Sequence, residues 1–86
     1  MTREEIYSVI KENISVVLDG VDVEKIDPND SMADYGADSL QIVEVVSRSM
    51  RQMRIRIPRT ELVNVKNLNG LIDAFEEAAK QESKVS

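Results

Sequence analysis

The stretch Gly36-Ala37-Asp38-Ser39-Leu40 joins the least regular part of the chain to its clearest helical pattern. Asp38 is among the preferred N-cap residues, and Gln41, three positions later, can complete a pair like a capping box. Apolar residues then recur at helical spacing, at Leu40, Ile42, Val43, Val45, Val46, Met50 and Met53. The pattern predicts a helix from about Ser39 to Arg54, with the serine hydroxyl in its first turn.

The apolar residues of this helix cover more than one face. One face is expected to pack into the core, and it carries Ile42, Val45, Val46, Ser49 and Met53. A helix that is apolar beyond its core face often has a partner. The predicted partner surface, at the start and on the second face of the helix, consists of Asp38, Leu40, Gln41, Val43, Glu44, Met50 and Arg51.

A long connection precedes this helix, from Val21 to Asp38. It contains several turn-forming residues, and the apolar residues that can pin it to the helices are Val23, Ile26, Met32 and Tyr35. At 18 residues it exceeds the usual length of a loop, so we expect it to be packed or functional. Its aspartates do not have the spacing of an EF-hand loop, and a calcium site is not predicted.

The N-terminal part of the chain predicts a first helix from Thr2 to Asp19. Thr2 and Glu5 form a capping-box pattern at its start, and Gly20 is placed to end it. With the other helices it is expected to build a core that includes Ile6, Ile10, Ile42, Val45, Leu71 and Phe75.

After the long helix, Pro58 predicts a break, because the residue before a proline is disfavoured in helical conformation. A short helical turn is expected over residues 60–63, and a last helix follows Asn67 as its N-cap, with fraying over residues 81–86. The alternation over residues 54–57 is not taken as a strand, because the chain offers it no partner strand.

The composition excludes several classes of function. The 86 residues fit a single domain, placed at residues 1–86 with an ordered core from about 2 to 80. Without Cys or His there is no disulfide, no Ser-His-Asp triad and no usual zinc site. A net charge of −5 disfavours nucleic acid as a partner, and no apolar stretch is long enough for a membrane span. We expect a cytoplasmic protein.

The charge is distributed unevenly along the chain. Residues 1–38 carry 3 basic and 10 acidic side chains, whereas residues 39–66 carry 6 basic and 2 acidic ones. The basic cluster includes Arg48, Arg51, Arg54, Arg56 and Arg59. A single exposed charge is usually only solvated surface, but this cluster predicts a basic face for an acidic partner.

Five residues around the helix start carry a resemblance to a known family. They are Gly36, Asp38, Ser39, Leu40 and Glu44. In an acidic, helical chain of this length, with a long connection before the serine, this pattern resembles that of the acyl carrier proteins. These belong with the peptidyl carrier proteins to the phosphopantetheine-binding domains, and the resemblance covers nearly the whole chain.

The resemblance implies an all-α fold, a four-helix bundle with three longer helices, one short helix and a long loop between helices one and two. It also implies that a separate phosphopantetheinyl transferase attaches 4′-phosphopantetheine to Ser39, and that the thiol of this group holds acyl groups as thioesters. The protein is then a monomeric, non-catalytic carrier that moves substrates between enzymes at high effective concentration.

Some positions depart from the pattern of the fatty-acid carriers. Acidic residues would be expected where this chain has Gln41, Met50, Arg51 and Gln52, and Leu is common where it has Tyr35. The segment 50–75 resembles free-standing carriers of bacterial polyketide pathways, in particular those that donate an acetyl-type unit for β-branching. The implied partners are acyl-loading enzymes, polyketide synthases or a synthase related to hydroxymethylglutaryl-CoA synthase.

Two other interpretations remain open. A small helical adaptor would use Leu40, Val43 and Met50 to bind a protein, with Ser39 only a neighbour of the cap. A peptidyl carrier would hold an aminoacyl group instead. An enzyme is less favoured, because acid–base catalysis would rest on carboxylates alone.

Overall fold

The structure is a computed structural model that describes residues 2–63 and 65–85. Helices form most of it. Its four α-helices are α1 (Arg3–Val17), α2 (Ser39–Met53), α3 (Arg59–Leu62) and α4 (Leu68–Val85). Two short 3₁₀ helices, Val23–Lys25 and Met32–Tyr35, lie between α1 and α2. No strand occurs among the described residues. The predicted all-α bundle, with three longer helices and one short one, is confirmed.

Helix α1 begins as the sequence predicts but ends earlier. The Thr2 hydroxyl accepts the amide hydrogen of Glu5, and the Glu5 carboxylate accepts that of Thr2 in return (3.1 and 2.8 Å). At the other end the last helical residue is Val17, because Leu18 is already extended. Gly20, with φ +78°, comes after this point, so it turns the chain into the loop and does not itself close the helix.

The core lies where α1, α2 and α4 meet. Of the predicted core residues, Ile6, Ile10, Val45, Leu71 and Phe75 are buried. The sixth, Ile42, is only half-buried, because it lies close to the exposed start of α2, and its assignment to the full core was wrong.

The irregular segment between α2 and α3 also contributes to the core. Ile55 and Ile57 are both buried, while Arg56 between them is exposed. An extended backbone sends alternate side chains to opposite sides, so this segment closes the edge of the core without strand pairing. The alternation over residues 54–57 therefore reflects the burial of one side of this segment, which was not predicted.

A small polar cluster joins α1 to α2 inside the apolar contact. Asn13, which is 3% exposed, donates from Nδ2 to the Ser49 hydroxyl (3.2 Å) and to Oε1 of Gln52 (3.1 Å). Ser49 in turn donates to the carbonyl of Val45 (2.8 Å). Because a buried amide needs its partners, these bonds favour one register between the two helices.

The ends of the later helices differ slightly from the predictions. Helix α2 stops at Met53, and Arg54 follows as its C-cap in the left-handed conformation. Helix α3 lies one residue earlier than the predicted 60–63, with Pro58 as its N-cap. Asn67 does cap α4, since its side chain accepts the amide hydrogen of Gly70 (2.8 Å).

The backbone of α4 is helical as far as Val85. The proposed ordered core of residues 2–80 stays a prediction. The fraying expected over 81–86 falls in part on Ser86, which lies outside the described residues.

The long loop is tied to the start of α4 by its backbone. The amides of Leu68 and Asn69, the first two residues of α4, donate to the carbonyls of Asp30 (3.0 Å) and Pro28 (2.8 Å). The side-chain amide of Asn69 donates to Asn29 as well (2.9 Å). Amides that begin a helix have no partner within it, so the loop caps α4 while α4 holds the loop.

Candidate functional site

The start of α2 is fixed by a reciprocal pair of hydrogen bonds. Asp38 Oδ1 accepts the amide hydrogen of Gln41 (2.8 Å), and Gln41 Oε1 accepts that of Asp38 (3.0 Å). The predicted capping pair is confirmed. Because Gln41 is bound in this way, part of its side chain is committed to the helix start.

The chain enters α2 through a sharp turn at Gly36. Its φ of +88° lies in the left-handed region, and its amide donates to the carbonyl of Ala33 (3.0 Å). Ala37 follows as a buried residue whose amide donates to the carbonyl of Met32 (3.3 Å). A side chain at Gly36 would meet no neighbour, so its backbone conformation is what favours glycine here.

Ser39 is the first residue of α2 and is exposed. No hydrogen bond links its hydroxyl to a described residue, and Asp38 provides the cap of the helix. The amides of the first turn and the helix dipole favour negative charge at this end of the helix. A serine placed here can therefore carry an anionic phosphodiester, but the chain has no His to activate the hydroxyl as a nucleophile.

The predicted partner residues are not equally exposed. Leu40 and Val43 are 81% and 61% exposed, and Glu44 and Arg51 also face solvent. Met50 differs, since it is half-buried against the core and its sulfur accepts the amide hydrogen of Ile57 (3.3 Å). Position on a helix wheel alone could not show that the segment after α2 folds back over this side chain.

Tyr35 fastens the loop in front of Ser39. Its hydroxyl accepts the amide hydrogen of Asp27 (2.7 Å) and donates to Oδ2 of Asp30 (2.9 Å). Partial burial raises the pKa of Tyr35, and the nearby Asp30 carboxylate raises it further. The sequence marked Tyr35 as an apolar anchor, and the residue does pack against the core. Its hydroxyl also holds the loop, which a Leu at this position could not do.

The loop carboxylates are engaged in local turns. Asp22, Asp27 and Asp34 each accept an amide hydrogen from a residue two or three positions away (2.8–3.0 Å). Over residues 2–63 and 65–85, no group of three potential metal-ligating side chains comes together. Within the same residues, no helix is long and apolar enough to cross a membrane.

Comparison with known proteins gives consistent matches. A family model described as "Phosphopantetheine attachment site" matches residues 8–75. The polyketide biosynthesis acyl-carrier-protein AcpK of Bacillus subtilis is 33% identical over 75 residues, which are 87% of this chain and 92% of that protein. The acyl carrier protein homolog of Ureaplasma parvum is 29% identical over 79 residues, 91% of this chain and 94% of that protein.

Fungal synthases match over a shorter segment. The non-reducing polyketide synthase mapC of Penicillium brevicompactum is 36% identical over 54 residues, which are 63% of this chain but only 2% of the synthase. No solved structure is a significant match.

The matched segment begins in α1 and ends in α4, so it includes the loop, Ser39 and all of α2. 4′-Phosphopantetheine is the prosthetic group of this family. The resemblance inferred from the residues around Ser39 is confirmed, and the chain belongs to the acyl carrier proteins of the phosphopantetheine attachment site family.

Proposed function

We propose that this protein is an acyl carrier of polyketide biosynthesis that bears 4′-phosphopantetheine on Ser39 and has no catalytic activity of its own. When bound, this group supplies the thiol that holds the acyl cargo as a thioester. The chain itself contributes an attachment point, a rigid base for it and a surface that partner enzymes bind.

The observation that carries this proposal is that two neighbouring side chains have different roles. Asp38 caps α2, so the exposed Ser39 hydroxyl is not needed to hold the helix together. The first-turn amides and the helix dipole suit the negative charge of a phosphodiester on that oxygen. The residues around Ser39 therefore fit the prosthetic group of the family.

The partners follow from the likeness to named carriers. AcpK of Bacillus subtilis is named as a carrier of polyketide biosynthesis, and it matches this chain over most of both lengths. We infer that a phosphopantetheinyl transferase modifies Ser39, and that acyl-loading and polyketide synthase enzymes then act on the loaded carrier. A synthase related to hydroxymethylglutaryl-CoA synthase, with this chain as acetyl donor for β-branching, is the more specific form of the proposal.

The exposed apolar side chains of α2 support a surface for such partners. Leu40 follows Ser39 directly, Val43 lies about one turn further along α2, and both are more than half exposed. An enzyme that reaches the cargo on Ser39 must approach this end of α2. We propose that the protein acts in the cytoplasm, and fractionation of the native host would test this location.

Intact-mass measurement tests the attachment site. After incubation with coenzyme A and a broad-specificity transferase, the wild type should gain the mass of one phosphopantetheine arm. The Ser39→Ala variant should gain none and should keep the wild-type circular dichroism spectrum, because Asp38 still caps the helix. Ser31→Ala and Ser47→Ala are matched controls and should be modified like the wild type.

The alternatives are separated by the mass measurement and by a loading assay. An arm on Ser39→Ala would place the attachment elsewhere, and a folded wild type that never gains an arm would favour the adaptor interpretation. If the loaded carrier accepts an aminoacyl group from an adenylating enzyme and no acyl group, the protein is a peptidyl carrier.

A further inference from the structure

An open groove lies beside the C-terminal end of α2. Its volume is about 590 Å³, and it is lined by Ser47, Met50, Arg51, Arg54, Ile55 and Arg56. Half-buried Met50 and buried Ile55 give it an apolar floor, and the three arginines are exposed. No carboxylate is among the described side chains that line it. The groove therefore combines an apolar surface with three positively charged side chains.

Two of the three arginines of the groove are not neutralised by any residue that the structure describes. Neither Arg51 nor Arg54 forms an ion pair with any described residue. Glu44, the carboxylate of α2, lies seven residues before Arg51, which is about 10 Å along a helix. Because the rest of the molecule is acidic, the groove is a local positive region on a chain whose net charge is −5.

The groove continues the exposed face of α2 that begins beside Ser39. Residues three or four positions apart share one side of a helix, and such a series is Leu40, Val43, Ser47, Arg51 and Arg54. Ser39 and Arg51 are 12 residues apart, about 18 Å along the helix axis. A protein that covers the apolar start of this face can therefore reach the groove along the same side of α2.

Arg54 occupies a backbone conformation that disfavours it. Its φ of +58° is the only positive φ of a non-glycine residue in the described part of the chain. Helices that end in this conformation usually have glycine there, because a Cβ atom crowds the neighbouring carbonyl. An arginine at this position points to a use for its side chain, and Arg54 lines the groove.

We propose that the groove binds an acidic segment of a partner enzyme, in which an apolar side chain sits on Met50 and Ile55 and flanking carboxylates pair with the arginines. Arginine suits this role because its planar guanidinium can donate hydrogen bonds to both oxygens of a carboxylate. The proposal rests on the proposed function, since the partner is an enzyme that acts on the cargo of Ser39. It assigns partner selection to the end of α2 remote from Ser39.

The test uses the full chain, ¹⁵N-labelled and carrying its arm, and a synthetic peptide with one leucine flanked by glutamates. Amide chemical shifts should change mainly at residues 47–56. Raising the salt to about 1 M, where the screening length is about 3 Å, should weaken the binding. The same peptide with glutamines in place of glutamates should not bind.

Charge reversals locate the site. Arg51→Glu with Arg54→Glu should raise the Kd of the peptide by about tenfold or more at low salt. Lys25→Glu with Lys80→Glu changes the net charge equally at exposed positions outside the groove, and should change the Kd less than about threefold. Arg54→Gly should weaken binding without lowering the melting temperature, because glycine suits the left-handed cap.

The proposal is overturned if the glutamine peptide binds as well, if the lysine reversals weaken binding as much as the arginine reversals, or if the shifts fall outside residues 47–56. Equal shifts with inorganic phosphate or a short DNA duplex would also overturn it, because the groove would then be a general anion site. The outcome is separable from that of the carrier function. Modification of Ser39 is followed by mass, and peptide binding is measured again on Ser39→Ala, which should bind equally.

Discussion

Asp38 offers the sharpest test of how α2 presents the attachment serine. Asp38→Ala removes the acceptor for the amide of Gln41, and only the hydrogen bond from the amide of residue 38 to Gln41 Oε1 remains possible. Loss of an N-cap costs about 1 kcal/mol, and loss of a charge at the positive end of the helix about 0.3–1 kcal/mol. We therefore expect the free energy of unfolding to fall by about 1–2 kcal/mol.

Asp38→Asn is the matched control, because an amide oxygen can still accept the bond from Gln41 while the charge is lost. Its cost should be only about 0.3–1 kcal/mol. Urea unfolding followed by circular dichroism measures both variants. If the first turn must be formed for modification, the transferase kcat/KM on Asp38→Ala should fall by up to about 5–30-fold, the factor that corresponds to 1–2 kcal/mol.

Two results would refute this reasoning. If Asp38→Asn is destabilised as much as Asp38→Ala, the charge and not the hydrogen bond holds the helix start. If Asp38→Ala is as stable as the wild type, the cap does not contribute to the fold, and the view that it relieves Ser39 of this task fails.

Further predictions concern the core, the partner surface and the response to pH. Phe75 is fully buried, so Phe75→Ala should lower the free energy of unfolding by about 3–5 kcal/mol in urea; a loss below about 1 kcal/mol would place it outside the core. Met50→Ala should cost about 1–2 kcal/mol, because the side chain is half-buried, and an unchanged urea midpoint would show that it is not packed. The pKa of Glu5 is lowered, chiefly by the hydrogen bond from the Thr2 amide. Its contribution to stability is thus present above the ordinary pKa of Glu and lost as the pH falls through the lower folded value, so the melting temperatures of wild type and Glu5→Gln should converge in acid.

The sequence predicted the fold where local signals and burial agree. Helical spacing and caps placed α1, α2 and α4 within a few residues, and the pattern around Ser39 identified the family. The burial of Ile55 and Ile57 could not be assigned from the alternation over residues 54–57 alone, because it depends on where an irregular segment lies against helices distant in sequence. The half-burial of Met50 follows from the same contact.

The hydrogen bonding of the loop was also beyond the reach of the sequence. The bonds of Tyr35 to Asp27 and Asp30 need the loop to be folded first, and propensities describe only neighbours in the chain. In the same way, the left-handed conformation of Arg54 contradicts its residue preference, so propensity could not predict that α2 ends at Met53.

The two backbone bonds between the loop and α4 bear on when the site takes shape during synthesis. The carbonyls of Asp30 and Pro28 bond to the amides of Leu68 and Asn69, which a ribosome adds 29 and 30 residues after Ser39. A growing chain can therefore form the first turn of α2 but not the fully tied loop in front of it. A transferase that recognises the tied loop would modify finished molecules in preference to nascent ones, and the attached arm would then serve as a mark of completed folding.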